Sequence, residues 1–241
     1  MNEALISSIR ERYQHTLVQV AETASGSGRD PGAVRVVVVS KLQPSDVIRA
    51  AITAGVTILG ENYAEEAVEK IAALKETAVE WHMIGHVQSR KANLVAAHFS
   101  MLHSLDSLKL AGRLDKFCGE LKRKLPVLLE FNVSGEESKS GFPAWDEQYW
   151  PDLLAEIEKI LALPHLDVRG LMTMPPFFND PERTRPYFQK LRRLQEYLVK
   201  HFPQADWSEL SMGTSVDFLA AIQEGATFVR IGQAILGPRL K

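Results

Sequence analysis

The sequence predicts an α/β barrel of the TIM type: (β/α)8, preceded by one extra N-terminal helix and without a second β domain. Three observations predict it. Short β-branched runs alternate in strict order with segments of helical period. Such alternation implies a parallel sheet, and eight strand–helix units close into a barrel. The chain has 241 residues, a length at which a barrel commonly forms one domain, so 1–241 is expected to be a single unit. The glycine pattern of a dinucleotide fold and a Walker loop are both missing, which puts a doubly wound open sheet second.

The elements follow in order. Ile6, Ile9, Tyr13, Leu17 and Val20 fall at helical spacing and define the extra helix. Residues 25–32 read as a turn. The run 34–40 is β-branched and too short for a capped helix. A helix over 44–54 starts with Pro44 near its first turn. Strand 57–62 precedes a helix whose buried side is Ala64, Ala67, Val68, Ile71 and Leu74. Strand 80–85 and helix 89–97 come next, then strand 100–105. The following helix buries Leu108, Ala111, Leu114 and Leu121. Strand 126–133, helix 151–163 and strand 166–174 continue the pattern. Residues 181–201 are helical, with Pro186 kinking the helix or starting it afresh. Strands 207–212 and 227–231 flank a helix over 216–224.

Bulk properties narrow the function. Hydrophobic residues make up 45% and charged residues 24%, an ordinary globular balance. A net charge of −2 gives no overall positive field toward nucleic acid. Lys122, Arg123 and Lys124, and the pair Arg192 and Arg193, read as solvated helix faces. Cys118 is the single cysteine, so no intrachain disulfide forms and a reducing, cytoplasmic setting is expected. It reads as a small packing residue. The charged N-terminus is no signal peptide, and no run is long enough to cross a bilayer.

In a barrel of this kind the C-terminal strand ends form the functional face. Lys41 ends the run Val36-Val37-Val38-Val39-Ser40-Lys41. Desolvation and nearby cations free the neutral amine of such a lysine for a carbonyl group. Alone, a lysine at a strand end reads as a solvated charge. The partner segments are 211–215 and 230–232. Gly213 permits close backbone approach, Thr214 and Ser215 offer hydroxyl and N–H donors, and a helix start faces the same spot. Gly232 ends the last strand. Loops after the seventh and eighth strands are the recurrent phosphate site of this architecture. The plainer reading is a capped helix start and a strand-ending glycine.

Arg230 alternates with Val229 and Ile231, so it points into the barrel if those two face the outer helices. An inward arginine needs an acceptor. That acceptor is an inward acid such as Glu130 or Glu61, or else a ligand. His82 and His86 lie about 13 Å apart on a strand, too far for one metal ion. His15, His98, His103, His165 and His201 form no pattern. Trp81, Trp145, Trp150 and Trp207 are expected to pack.

Taken together these segments resemble the pyridoxal-phosphate homeostasis proteins, whose barrel is like the N-terminal domain of alanine racemase. The matching runs are Val37-Val38-Val39-Ser40-Lys41, Gly60-Glu61-Asn62-Tyr63 and Trp81-His82-Met83-Ile84-Gly85-His86-Val87-Gln88-Ser89. Further matches are Asn132-Val133-Ser134-Gly135-Glu136-Glu137-Ser138-Lys139-Ser140-Gly141 and Gly170-Leu171-Met172-Thr173-Met174. The last block, 210–237, contains Ser211-Met212-Gly213 and Val229-Arg230-Ile231-Gly232. The similarity runs in register from about residue 34 to the end. Two departures are Thr214, where many relatives carry methionine, and Arg90, where many carry asparagine. Position 90 is expected to face outward.

The resemblance implies pyridoxal 5′-phosphate (PLP) held as an imine on Lys41. It implies phosphate and ring contacts from Ser211, Gly213, Ser215, Arg230 and Gly232, with Asn62 near the ring, and Thr214 adds a hydroxyl to the same segment. The implied role is homeostasis of the cofactor, by storage, transfer or buffering, without robust catalysis. The alternative is an amino-acid racemase. A racemase of this fold carries a second β domain, for which Gln233 to Lys241 leave no room. PLP-dependent apo-enzymes are the candidate recipients, and a monomer or weak dimer is expected. Lys139, in a loop, reads as a solvated charge rather than as a second amine for the cofactor.

Overall fold

A computed structural model describes residues 2–75 and 77–238. Eight parallel strands form a closed barrel, the fold class that the alternation predicts. They are β1 (Arg35–Val39), β2 (Ile58–Glu61), β3 (Glu80–Met83), β4 (Met101–Leu105), β5 (Leu125–Asn132), β7 (Leu166–Met172), β8 (Glu209–Thr214) and β9 (Phe228–Ile231). The two-residue β6 (Phe142–Pro143) pairs with the end of β5 outside the ring. The sheet order is β4-β3-β2-β1-β9-β8-β7-β5, and β4 pairs with β5 to close it. The open doubly wound sheet is thereby excluded.

Around the ring lie α2 (Ser45–Thr53), α3 (Ala64–Ala73), α4 (Ala92–His98), α5 (Leu108–Glu120), α6 (Trp150–Leu161), α7 (Arg185–His201), α8 (Phe218–Gln223) and the short α9 (Gln233–Leu236). The extra helix α1 (Glu3–Gly26) is capped by Asn2, whose side chain accepts from the Leu5 N–H at 3.2 Å. Its buried stripe of Ile6, Ile9, Tyr13 and Val20 packs on α2, α8 and α9, joining the first and last units. Among the described residues no helix is long and apolar enough to cross a membrane.

The pleat sorts each strand into two environments. Val37, Ile58, Met101, Leu128, Met172 and Phe228 fill the barrel interior. Val36, Val38, Leu59, Val229 and Ile231 face the helices. Val37 and Val38 are both fully buried, and each such burial stabilises by roughly 1.5 kcal/mol or more.

Several boundaries differ from the sequence reading for local reasons. The first helix runs through Ser25 to Gly26, so the turn begins at Ser27. Residues 89–97 divide into a 3-10 turn at Ser89–Lys91 and then α4. Pro186 starts α7 afresh, after a separate turn at Pro181–Arg183. β8 lies two residues further along than expected and takes in Gly213 and Thr214. Its register against β9 shifts between Ser211 and Thr214. Lys122, Arg123 and Lys124 lie beyond α5 rather than on it. Arg123 donates to the Ala96 and Phe99 carbonyls at 3.1 and 2.8 Å, so it closes the end of α4. Arg90 is exposed and Cys118 is buried, both as expected. Trp81, Trp150 and Trp207 are buried, but Trp145 is 46% exposed.

Candidate functional site

The C-terminal strand ends open onto a cavity of about 630 Å³. It brings together six of the residues singled out from sequence: Lys41, Asn62, Thr214, Ser215, Arg230 and Gly232. Glu130, His86, Met174 and Phe177 complete much of the wall.

Lys41 sits in a turn whose two flanking residues are both fastened. The Ser40 hydroxyl donates to Glu61 Oε1 at 2.7 Å. The Lys70 ammonium donates to the Ser40 carbonyl at 3.0 Å and to Glu61 Oε1 at 2.8 Å, and pairs with Glu66 at 2.5 Å. Glu66 in turn accepts the Leu42 N–H at 2.9 Å. Leu42 has φ 58°, the left-handed region, which costs a side-chain-bearing residue roughly 1–2 kcal/mol. A network of buried Glu61 and Lys70 with the partly exposed Glu66 thus offsets strain in the turn that presents Lys41. Burial pushes the Glu61 carboxyl up, against the pull of Lys70 and Ser40. Sequence reading missed Lys70, because a lysine on an amphipathic helix ordinarily faces water.

Arg230 points inward and is 4% exposed. Its acceptors are not the acids considered from sequence. Nη1 donates to the Ser211 hydroxyl at 2.6 Å, and Nη2 donates to the Thr173 carbonyl at 2.9 Å and lies 2.8 Å from the Met174 sulfur. Burial pushes the guanidinium down to about 10, opposed by Asp217 and Glu130, so it remains cationic at neutral pH.

Two residues expected at the cavity support it from behind. Ser211 is fully buried between Arg230 and His103, whose Nδ1 lies 2.8 Å from its Oγ. Gly213 has φ +92°, and a Cβ there would lie 2.6 Å from the Ala221 Cβ. It faces α8, and its missing side chain admits the helix rather than a ligand. Gly232 does line the cavity, and a Cβ on it would come within 3.3 Å of the Val39 backbone oxygen.

The helix start after β8 also departs from expectation. Neither Thr214 nor Ser215 is the cap; α8 begins at Phe218 with Asp217 at the cap position. The Asp217 carboxylate accepts the Thr214 N–H at 2.6 Å and the Thr214 hydroxyl at 3.0 Å. The Thr214 N–H is therefore already committed to an anion. At six residues, α8 is too short to count as an anion site through its dipole. An aspartate just ahead of an apolar helical run marks the cap position, but the Asp217 side chain makes no bond to α8 and turns back to Thr214 instead.

Glu130 is the cavity's distinctive acid. It is 7% exposed, and its Oε2 has no hydrogen-bond partner among the described residues. Burial and the nearby Asp106 push it up to about 7, against Arg230, His86 and Lys139. His86 stands at the rim with Nδ1 2.7 Å from Asp106, whereas His82 is buried inside the barrel. Lys139 is half-buried, 3.4 Å from the Pro175 carbonyl, and is not among the cavity-lining residues, although Ser140 is. Asn132 organises its own loop, accepting from Ser134 and Gly135 and donating to the Glu136 carbonyl.

The comparisons with known proteins agree with this geometry. Residues 29–239 match the family model described as alanine racemase, N-terminal domain. A pyridoxal phosphate homeostasis protein of Vibrio alginolyticus is 42% identical over 239 residues, covering 97% of this chain and 99% of that protein. One of Aquifex aeolicus is 39% identical over 230 residues, covering 95% and 97%. Among solved structures, PipY of Synechococcus elongatus PCC7942 with PLP bound superposes with a TM-score of 0.78 at 35% identity. That match covers 90% of this chain and 100% of that one. An alanine racemase of Clostridium difficile shares the fold alone, at 14% identity and a TM-score of 0.70. With near-complete coverage on both sides, the chain belongs to the pyridoxal phosphate homeostasis protein family, built on the alanine racemase N-terminal-domain barrel.

Proposed function

We propose that this protein binds pyridoxal 5′-phosphate on Lys41 and serves homeostasis of that cofactor by storing, transferring or buffering it. One observation carries the reading. A single cavity at the strand ends holds a primary amine, a buried cation and the donor-bearing ends of β8 and β9. Those groups suit the three parts of PLP. Lys41 supplies the amine, to which an aldehyde is tied as an imine with loss of water. Arg230 is the fixed cationic donor for the ring side, with Asn62 nearby. Ser215 and Gly232 serve the phosphate, while Thr214 lines that end of the cavity with both of its donors held by Asp217. Because Asp217 occupies the Thr214 N–H, the anion falls to the Ser215 and Gly232 side. Ser211 and Gly213 act by holding these groups in place. Once bound, the cofactor supplies a carbonyl that exchanges between amines, which is the chemistry a transferable store requires. If Arg230 met the ring nitrogen, its guanidinium would keep that nitrogen unprotonated and the ring a weak electron sink, which would favour holding over turnover.

The relatives' names and the PLP-bound PipY support this role. We read 1–241 as one such unit, acting in the cytoplasm as a monomer or weak dimer and passing PLP to apo-enzymes. Adding PLP to the purified apo-protein should produce a visible absorption band that survives dialysis and is lost in Lys41→Ala. A band of wild-type size in Lys41→Ala would contradict the assignment.

A further inference from the structure

Arg230 is one end of a chain of side-chain hydrogen bonds that crosses the whole barrel. Its Nη1 donates to Ser211 Oγ at 2.6 Å. Ser211 Oγ lies 2.8 Å from His103 Nδ1, and His103 Nε2 lies 3.0 Å from His82 Nδ1. His82 Nε2 lies 3.1 Å from Glu80 Oε2. Ser211 and His103 are fully buried and His82 is 2% exposed. Glu80 begins β3, at the mouth opposite the cavity, with its side chain 64% exposed.

The chemistry of the groups fixes the direction of every proton. Burial pushes both imidazoles down, so each is neutral and carries one N–H. The His82 bond holds the Glu80 carboxyl below its ordinary value, so Glu80 is ionised and only accepts. His82 Nε2 must then bear the hydrogen and Nδ1 the lone pair. By the same step His103 donates from Nε2 and accepts at Nδ1. Ser211 donates to His103 and accepts from Arg230. The opposite order would set the His82 Nε2 lone pair against the Glu80 carboxylate. Arg35, Glu209 and Arg169 also line this mouth. Arg35 pairs with Glu209 and lies 3.8 Å over the Phe228 ring, and Arg169 pairs with Asp167 and Asp206.

We infer that Ser211, His103, His82 and Glu80 form a one-way relay that positions Arg230, with Ser211 as its direct anchor. Its protons all point from the guanidinium toward the far carboxylate, so Arg230 is held as a donor of fixed orientation at the floor of the cavity. The relay itself stands on the geometry and chemistry of this protein's own side chains, without the cofactor. Its effect on cofactor binding rests on the PLP reading above.

Long-range ¹H–¹⁵N spectra of the histidine-labelled apo-protein test the relay without any cofactor. Both His82 and His103 should show the neutral Nε2–H pattern and hold it through the range in which an exposed imidazole protonates. An Nδ1–H pattern, or an imidazolium in that range, would overturn the relay. Ser211→Ala should then perturb the His103 resonances, shift the absorption maximum of added PLP and weaken its binding about tenfold. Ser211→Thr, which keeps the hydroxyl, should restore the His103 resonances and the maximum. Unchanged spectra and affinity in Ser211→Ala would remove the positioning role. If the wild type takes up no PLP, the cofactor reading fails while the histidine spectra still decide the relay.

Discussion

The barrel buries two glutamates near its functional end and treats them differently. Glu61, at the end of β2, gathers the Ser40 hydroxyl and the Lys70 ammonium on Oε1. Glu130, on β5, lines the cavity and has an Oε2 with no partner among the described residues. Burial raises both carboxyls, but only Glu61 has a buried cation bonded to it. The difference separates a charge used to shape the Lys41 turn from one presented to whatever occupies the cavity.

The comparison breaks most sharply at Lys70. Lys70→Met leaves Glu61 buried without its cation and releases the Glu66 oxygen that holds Leu42. It should destabilise the fold by about 3–5 kcal/mol in urea unfolding. A loss under about 1 kcal/mol would mean that the network does not hold the turn.

Glu130 should behave in the opposite way, as a group whose ionisation the fold resists. Its carboxyl is raised from 4.5 to about 7, so between those values the folded chain binds more protons than the unfolded one. Stability contributed by this residue is therefore full below about pH 4.5 and lost as pH rises through about 7, on the order of 3 kcal/mol in all. Unfolding measured across pH 4.5–8 should show that decline in the wild type relative to Glu130→Gln. Parallel curves for the two proteins would show that Glu130 ionises freely.

The smallest effect is expected at Leu42. It is 52% exposed with φ 58°, so Leu42→Gly relieves backbone strain and gives up little burial. A gain of up to about 1 kcal/mol is expected, read as a higher urea midpoint. A loss of stability would show that the Leu42 side chain contributes more than its strain removes.

Much of this was legible in the sequence because it rests on local period. The four valines before Ser40 required a strand buried on both faces and so placed Lys41 at its end. The alternation around Arg230 set it inward. What stayed hidden depends on contacts between distant residues. Ser211 meets His103 across 108 positions, and no local pattern marks His103 as a partner. Lys70 carries no signal in the sequence, because helical period does not register a buried acid on the neighbouring strand. The sequence reading ends β8 at Met212 because a glycine ordinarily interrupts a strand. Here it continues the strand through a register shift, and it turned Gly213 toward α8. The phosphate cup departs from its sequence expectation for a related reason: Asp217, three residues on, claims the Thr214 N–H.

The most direct test of the central claim is where PLP attaches. Borohydride reduction of the PLP-loaded wild-type protein, followed by peptide mapping, should find the phosphopyridoxyl label on Lys41. A label confined to Lys139 or to any other lysine would contradict the assignment of the cavity.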